Sequence, residues 1–172
     1  MLLASFDRLL LANGYEDVSV RELTADADVG RSTFYEHFEG KDELLEHSVA
    51  RLLAVIAAAV ANPAPSDALP DMLTHMRAQR ALASALLHGS TRAILIRVLA
   101  LKLERQLAAL ARHSAEPPIA PLEFLAISLA HAQLGAIEAW LDCDDRCDVH
   151  MAARVLHATT RASVVAMFGS SG

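Results

Sequence analysis

Arg31, Ser32, Thr33, Tyr35 and His37 crowd into seven consecutive residues, and each carries a side-chain hydrogen-bond donor. Such a set suits acceptors that stand in rows: phosphate oxygens and the edges of stacked bases. Arg31 adds a planar fork that matches O6 and N7 of guanine. Within the same stretch Phe34 and Phe38 stand four apart, the spacing that puts two side chains on one face of a helix. The pattern predicts a short helix with an aromatic inner side and a donor-rich outer side.

That helix has to be held by what precedes it. Ser19 and Glu22 have the S-x-x-E spacing of a capping box, so a helix is expected to start there. Val20, Leu23 and Ala27 give it a short apolar face. Asp26, Asp28 and Gly30 are poor helix-interior residues and stop it. Val29 then serves as the apolar plug of a tight turn, and Gly30 takes the N-cap of the donor-rich helix. Two short helices joined by such a turn form a helix-turn-helix, whose second helix enters the major groove of DNA.

The segments ANGYEDVSVREL, DVGRSTFYEHF and GKDELL together extend this pattern on both sides. Residues 9–45, about a quarter of the chain, resemble the DNA-binding domain of the tetracycline-repressor-like (TetR/AcrR) family of bacterial transcription regulators. Position by position, the resemblance implies that Tyr35, His37 and Lys41 grip phosphates on either side of the groove. It implies that Arg31, Ser32 and Thr33 read base edges, that Arg21 joins them, and that Ser19 touches a phosphate as well as capping its helix. Two positions depart from the family pattern: Thr24 stands where a small Ala is usual, and Asp28 where Gly is usual. Asp tolerates the left-handed conformation that a tight turn needs, so the motif survives both.

The implied architecture is all-α: an N-terminal three-helix head with the helix-turn-helix over residues 1–46, and a C-terminal helical bundle over 47–168 used for dimerisation and ligand binding. The composition agrees, with 53% apolar residues, few aromatics and little Gly. Along the chain, helices are expected over 41–61, over 68–88 as one or two pieces, from a Ser90 cap to 113, over 121–141 and over 149–168. Residues 62–70 form a Pro-rich linker, 114–121 an irregular connection, and 169–172 a disordered tail.

By resemblance the last two helices form a homodimer interface. Leu125, Leu129, Ala132, Ala136 and Trp140 run along one, and Ala152, Val155, Leu156, Thr159, Ala162 and Val165 along the other. Two heads one helical turn apart would then read a palindromic operator in double-stranded DNA. The family also releases DNA when a small-molecule effector enters the body. Met72, His75, Met76, His88, Arg92, His131, Gln133 and Trp140 are the adaptable or polar residues available to line such a cavity. The function expected on these grounds is a ligand-responsive regulator, most naturally a repressor.

Charge sets a rival reading beside it. Residues 1–50 hold four basic side chains against eleven acidic ones, a balance of −7 within a chain of net −6, which leaves +1 for the rest. A DNA-binding head normally presents a basic face. The alternative is therefore a helical dimer that binds a small molecule or a protein partner, with an acidic head of weak or lost DNA affinity.

Other chemistry has less support. No nucleophile elbow, phosphate loop or paired-carboxylate arrangement is present, so no enzyme activity is expected. No cofactor is implied. Cys143, Cys147 and His150 have spacing for three metal ligands but lack a local fourth, so no metal is expected. The longest apolar run, 52–61, is too short to span a bilayer, and Asp7 and Arg8 interrupt the opening apolar stretch as no secretory signal would. With two cysteines, the expected location is the cytoplasm.

Overall fold

The computed structural model describes residues 1–64, 66–143 and 147–168, all of them helix, turn or irregular connection and none of them strand. The expected tail 169–172 and the centre of the loop before the last helix lie outside the described residues. The helices are α1 Leu2–Asn13, α2 Val20–Asp26, α3 Arg31–His37, α4 Lys41–Ala58, α5 Ala68–Ala78, α6 Arg80–Leu87, α7 Gly89–Ala111, α8 Leu122–Asp142 and α9 Val149–Met167.

The ends of these helices follow local chemistry. Gly14 closes α1 at φ +80°, where a side chain would be strained, and its N–H bonds Leu10 O. Asp42 and Glu43 lie in the first turn of α4, where acids favour the positive end of the helix dipole. Asp148 caps α9 by accepting a hydrogen bond from Met151 N at 2.8 Å. Residues 68–88 form two helices, broken at Gln79.

Several expected boundaries move. The helix expected over 41–61 ends at Ala58 and continues only as turns. Ser90 does not cap α7. Gly89, at φ +65°, starts that helix two residues earlier than a Ser90 cap would, and His88 is its N-cap without a side-chain bond. The hydroxyl that works there belongs to buried Thr91, which donates to His88 O and Leu86 O.

In the packing, α7 is the central helix. Leu95, Leu99, Leu103 and Leu107 recur at its inner side and are buried, and it lies against both α4 and α8. At the other end of the fold α2 packs on α1 and α3, while α1 also packs on α6 and α5 on α9. The position 46/47, where head was expected to give way to body, falls inside α4, so one rigid helix serves both. Side chains reinforce this link, since Glu46 of α4 accepts a hydrogen bond from Arg97 of α7.

Helix α8 is longer than the apolar run 52–61 and exceeds it as a candidate of membrane length. This helix is long and apolar enough to cross a bilayer, but 50% of the relevant stretch is buried inside the fold. Its apolar side is a core face, built from Leu125, Leu129, Leu134 and Ile137 among others.

The alternation along α7 gives a direct stability test. Leu99 is 0% exposed and Leu101 51% exposed. Leu99→Ala is expected to cost about 2–5 kcal/mol in urea unfolding, through lost burial and the cavity left behind. Leu101→Ala should stay within about 0.5 kcal/mol of the parent.

Candidate nucleic-acid interface and effector cavity

Ser19 caps α2 with both halves of the box in place. Its Oγ accepts from Glu22 N at 3.2 Å, and Glu22 Oε2 accepts from Ser19 N at 3.1 Å. Hydrogen bonds from Ser19 hold the Glu22 carboxyl below the usual carboxylate range. Thr24, the larger residue where Ala is usual, is buried, and its hydroxyl donates to Val20 O at 2.9 Å. The extra polar atom is thus satisfied inside its own helix. The turn closes with Val29 N on Thr24 O at 3.0 Å, and Asp28 takes φ +52°, the left-handed conformation expected of it. Val29 is half-buried, so the firmest apolar anchors here are Leu23 and Ala27, at 0% and 4% exposed.

Gly30 is the N-cap of α3. Phe34 is 0% exposed, with Phe38 beside it at a ring distance of 5.5 Å and Tyr35 edge-on at 5.4 Å. On the outside of α3, Arg31, Ser32, Thr33, Tyr35 and His37 are all exposed. The expected division into aromatic inner and donor-rich outer sides is present, and Arg21 of α2 is exposed as well.

Lys41 has a structural role that its sequence position did not announce. Its Nζ donates to Tyr15 O at 2.8 Å and Glu16 O at 3.0 Å, and sits 4.5 Å from the Tyr15 ring centroid. The Tyr15 hydroxyl donates in turn to Asp42. Burial and this bond push the Tyr15 phenol well above its ordinary range. Together these contacts clasp the start of α4 to the connection after α1. Arg8 is engaged too, bonding Asp26 of α2 at 2.6 Å. Of the four basic side chains in the first 50 residues, Arg21 and Arg31 are left without a hydrogen bond or ion pair to any described residue.

A partly open apolar cavity of about 170 Å³ lies between α1, α4, α5, α6, α7 and α8. His75 and Met76 line it, and His75 with Met72 lines a neighbouring recess. The other expected pocket residues do not line it. His88 and Arg92 both bind Glu138, at 3.0 and 2.6 Å, in an ion cluster none of whose members lines the cavity. His131 is exposed to solvent. Gln133 is buried between helices, bonding Thr160 Oγ1 at 2.8 Å. Trp140 donates to Cys147 O and carries the Arg77 guanidinium 4.3 Å above its ring. What sequence reasoning missed was the contribution of α1, through Leu3 and Asp7, and of α4, through Ser48, Leu52 and Ile56.

The expected interface residues divide by phase. Leu125, Leu129, Trp140, Ala152 and Leu156 belong to the monomer core, because α8 and α9 turn those faces toward each other, α7 and α5. Ala132, Thr159 and Ala162 are exposed, Val155 is exposed, and Ala136 is half-buried. Val165, expected in the interface, is exposed, and exposed Phe124 and Ile127, which were not in the expected set, extend the apolar outer face of α8. Cys143 and Cys147 sit with their sulfurs 2.7 Å apart; the described residues contain no group of three metal-ligating side chains.

Residues 2–47 match the family of bacterial regulatory proteins called the tetR family. No curated protein sequence matches the chain. Among solved structures, the TetR transcriptional regulator from Streptococcus agalactiae 2603V is 22% identical, with a TM-score of 0.60 over 93% of this chain and 91% of its own. RolR in complex with resorcinol is 18% identical, with a TM-score of 0.46 over 99% of this chain and 94% of its own. The first of these is a likeness of fold across nearly the whole chain.

The clasp separates two roles for Lys41. Lys41→Met is expected to lower stability by about 1–3 kcal/mol in thermal or urea unfolding, because the half-buried Tyr15 carbonyl and the exposed Glu16 carbonyl both lose their charged donor. Arg31→Ala, on the exposed side of α3, should leave stability within about 0.5 kcal/mol of the parent.

Proposed function

Starting from residues 2–47 as a domain of the tetR family of bacterial regulatory proteins, we propose that this chain is a DNA-binding transcription regulator that works as a homodimer and responds to a small-molecule effector. The observation that carries this reading is α3, a seven-residue helix with Phe34 fully buried on one side and five hydrogen-bond donors exposed on the other. Placed in a major groove, Arg31 reads guanine, Ser32 and Thr33 contact neighbouring edges, and Tyr35 and His37 contact phosphates. Arg21 approaches from α2. Head and body divide within α4, near residue 46.

The dimer forms through the exposed outer faces of α8 and α9, around Phe124, Ile127, Ala132, Val155, Thr159 and Ala162. It sets two α3 helices to face successive turns of a palindrome. An effector in the cavity favours a spacing of the heads that no longer fits both grooves, so the default action is repression relieved by ligand. The chain acts by binding, in the cytoplasm where its DNA target lies, and not by catalysis.

A second reading is favoured by one specific observation: the head carries −7 over residues 1–50, and Arg8 and Lys41 are spent on internal contacts. On that reading the helical dimer serves a ligand or protein partner and has little DNA affinity. If DNA is bound, affinity should fall steeply with salt and rest on few phosphate contacts.

Selection from a random duplex pool at low salt decides between them, with the Arg31→Ala/Tyr35→Ala double variant as control. Enrichment of a palindrome that the control fails to enrich is the expected result. No enrichment would give the lead to the ligand-binding or partner-binding reading. On the selected operator, Arg31→Ala should cost about 1–3 kcal/mol and relax preference at one base position. Tyr35→Phe should weaken all sequences evenly, which a titration across mismatched operators reads out. Val155→Asp, on the outer face of α9, should turn a dimer into monomer in sedimentation without loss of helix content.

A further inference from the structure

Asp7 is the unusual group in the cavity wall. It is half-buried, lies on α1 and lines the apolar cavity, yet it has no hydrogen bond or ion pair to any described residue. Burial raises its pKa, and only His75, from α5, acts electrostatically in the opposite direction. Carboxylates withdrawn from water are ordinarily paired, because the lost hydration is otherwise uncompensated. The nearby cations are occupied elsewhere: Arg8 on Asp26 at 2.6 Å, and Arg80 facing Asp142 at 3.9 Å. The other lining polar group at that depth, Ser48, already donates to Leu45 O.

The rest of the wall limits the ligand further. It is built mainly from Leu, Ile, Val, Met and Ala side chains and contains no Lys or Arg; its one other ionisable group is His75, which already acts on Asp7, so an anion would meet the Asp7 carboxylate with no permanent cation to offset it. Its volume of about 170 Å³ is close to that of cavities, roughly 150 Å³, that accept a single benzene-sized ring.

We infer that the cavity takes a small amine, one apolar ring or its equivalent in size with a single cationic nitrogen, and that the nitrogen docks on Asp7. This rests on the reading of the chain as a ligand-responsive regulator and names its ligand class. The consequence is geometric. Asp7 and Leu3 belong to α1, and α1 packs on α2, so the ligand touches the head itself as well as the body. Occupancy changes the seating of α1 without a relay through distant helices.

The test is calorimetric titration of the full chain, without DNA, using 2-phenylethylamine, the uncharged 2-phenylethanol and the anionic phenylacetate. The expected result is binding of the amine at least about tenfold tighter than the alcohol, the size of a charge-assisted hydrogen bond, with phenylacetate weakest. Asp7→Asn should abolish the preference for the amine while leaving the alcohol's affinity in place. Ala83→Leu, which fills the cavity, should remove binding of both, and thermal melts of each variant confirm that it is folded. Equal affinity for amine and alcohol, a preference for the anion, an unchanged preference in Asp7→Asn, or no binding of any probe at millimolar concentration would each overturn the proposal. Since DNA is absent, such a failure leaves the DNA-binding reading untouched. Conversely, a protein that binds the amine through Asp7 but selects no operator keeps this site and loses that reading.

Discussion

The burial of Phe34 is the contact on which the remaining interface depends. A helix of seven residues is far too short to persist alone, since its nucleation cost exceeds what a few hydrogen bonds return. What holds α3 is the placement of one aromatic ring at 0% exposure in the same continuous core as Leu23, Leu44 and Leu45. Phe38, half-buried at the C-cap, continues the contact where the helix stops. Everything presented outward by Arg31, Ser32, Thr33, Tyr35 and His37 inherits its direction from that anchor. The capped α2 and the left-handed Asp28 then fix the angle at which the anchored helix emerges.

Electrostatics works against this geometry rather than with it. Several acids of the head have structural partners: Glu22 is committed to its capping box, Asp26 to Arg8, and Asp42 to Tyr15. These contacts fix local structure but also consume Arg8, while the carbonyls of Tyr15 and Glu16 consume Lys41. A domain assembled this way keeps its shape at the expense of its long-range attraction for a polyanion. On the proposed reading, recognition leans on short-range hydrogen bonds from a small number of groups, Arg21 and Arg31 foremost.

The helical head was legible in the sequence because its signals are local. A capping box, a turn residue able to take positive φ and a pair of phenylalanines four apart are each read from a few neighbours, and each stands where expected. The clasp at Lys41 was not legible. Lysine at a helix start resembles a solvent-facing phosphate ligand until the chain brings the Tyr15 carbonyl, 26 residues away, to its ammonium. The phase of α8 and α9 failed for a related reason. Both helices are apolar around much of their circumference, so periodicity could not say which side met the monomer and which faced outward. Leu125 and Leu156 went inward; Ile127 and Val155 did not. The cavity was the least legible feature, because its wall draws on six helices and on residues spread from Leu3 to Ile137.

On the proposed reading, that assembly lets a cavity in the body act on a helix in the groove. Neighbouring residues on a helix point about 100° apart, so in α1 Phe6 enters the buried core beside Tyr15 while Asp7 turns to the cavity. The same rigid segment therefore forms part of the head's foundation and part of the cavity wall. On α4, Val49 and Leu53 line the cavity while Lys41, two turns earlier, holds the clasp. A ligand shifts the balance between head positions only to the extent that it binds one of them better. Contacts on α1 and α4 at once supply that difference directly, since any rotation of the head relative to α6 and α7 changes the shape of the cavity itself.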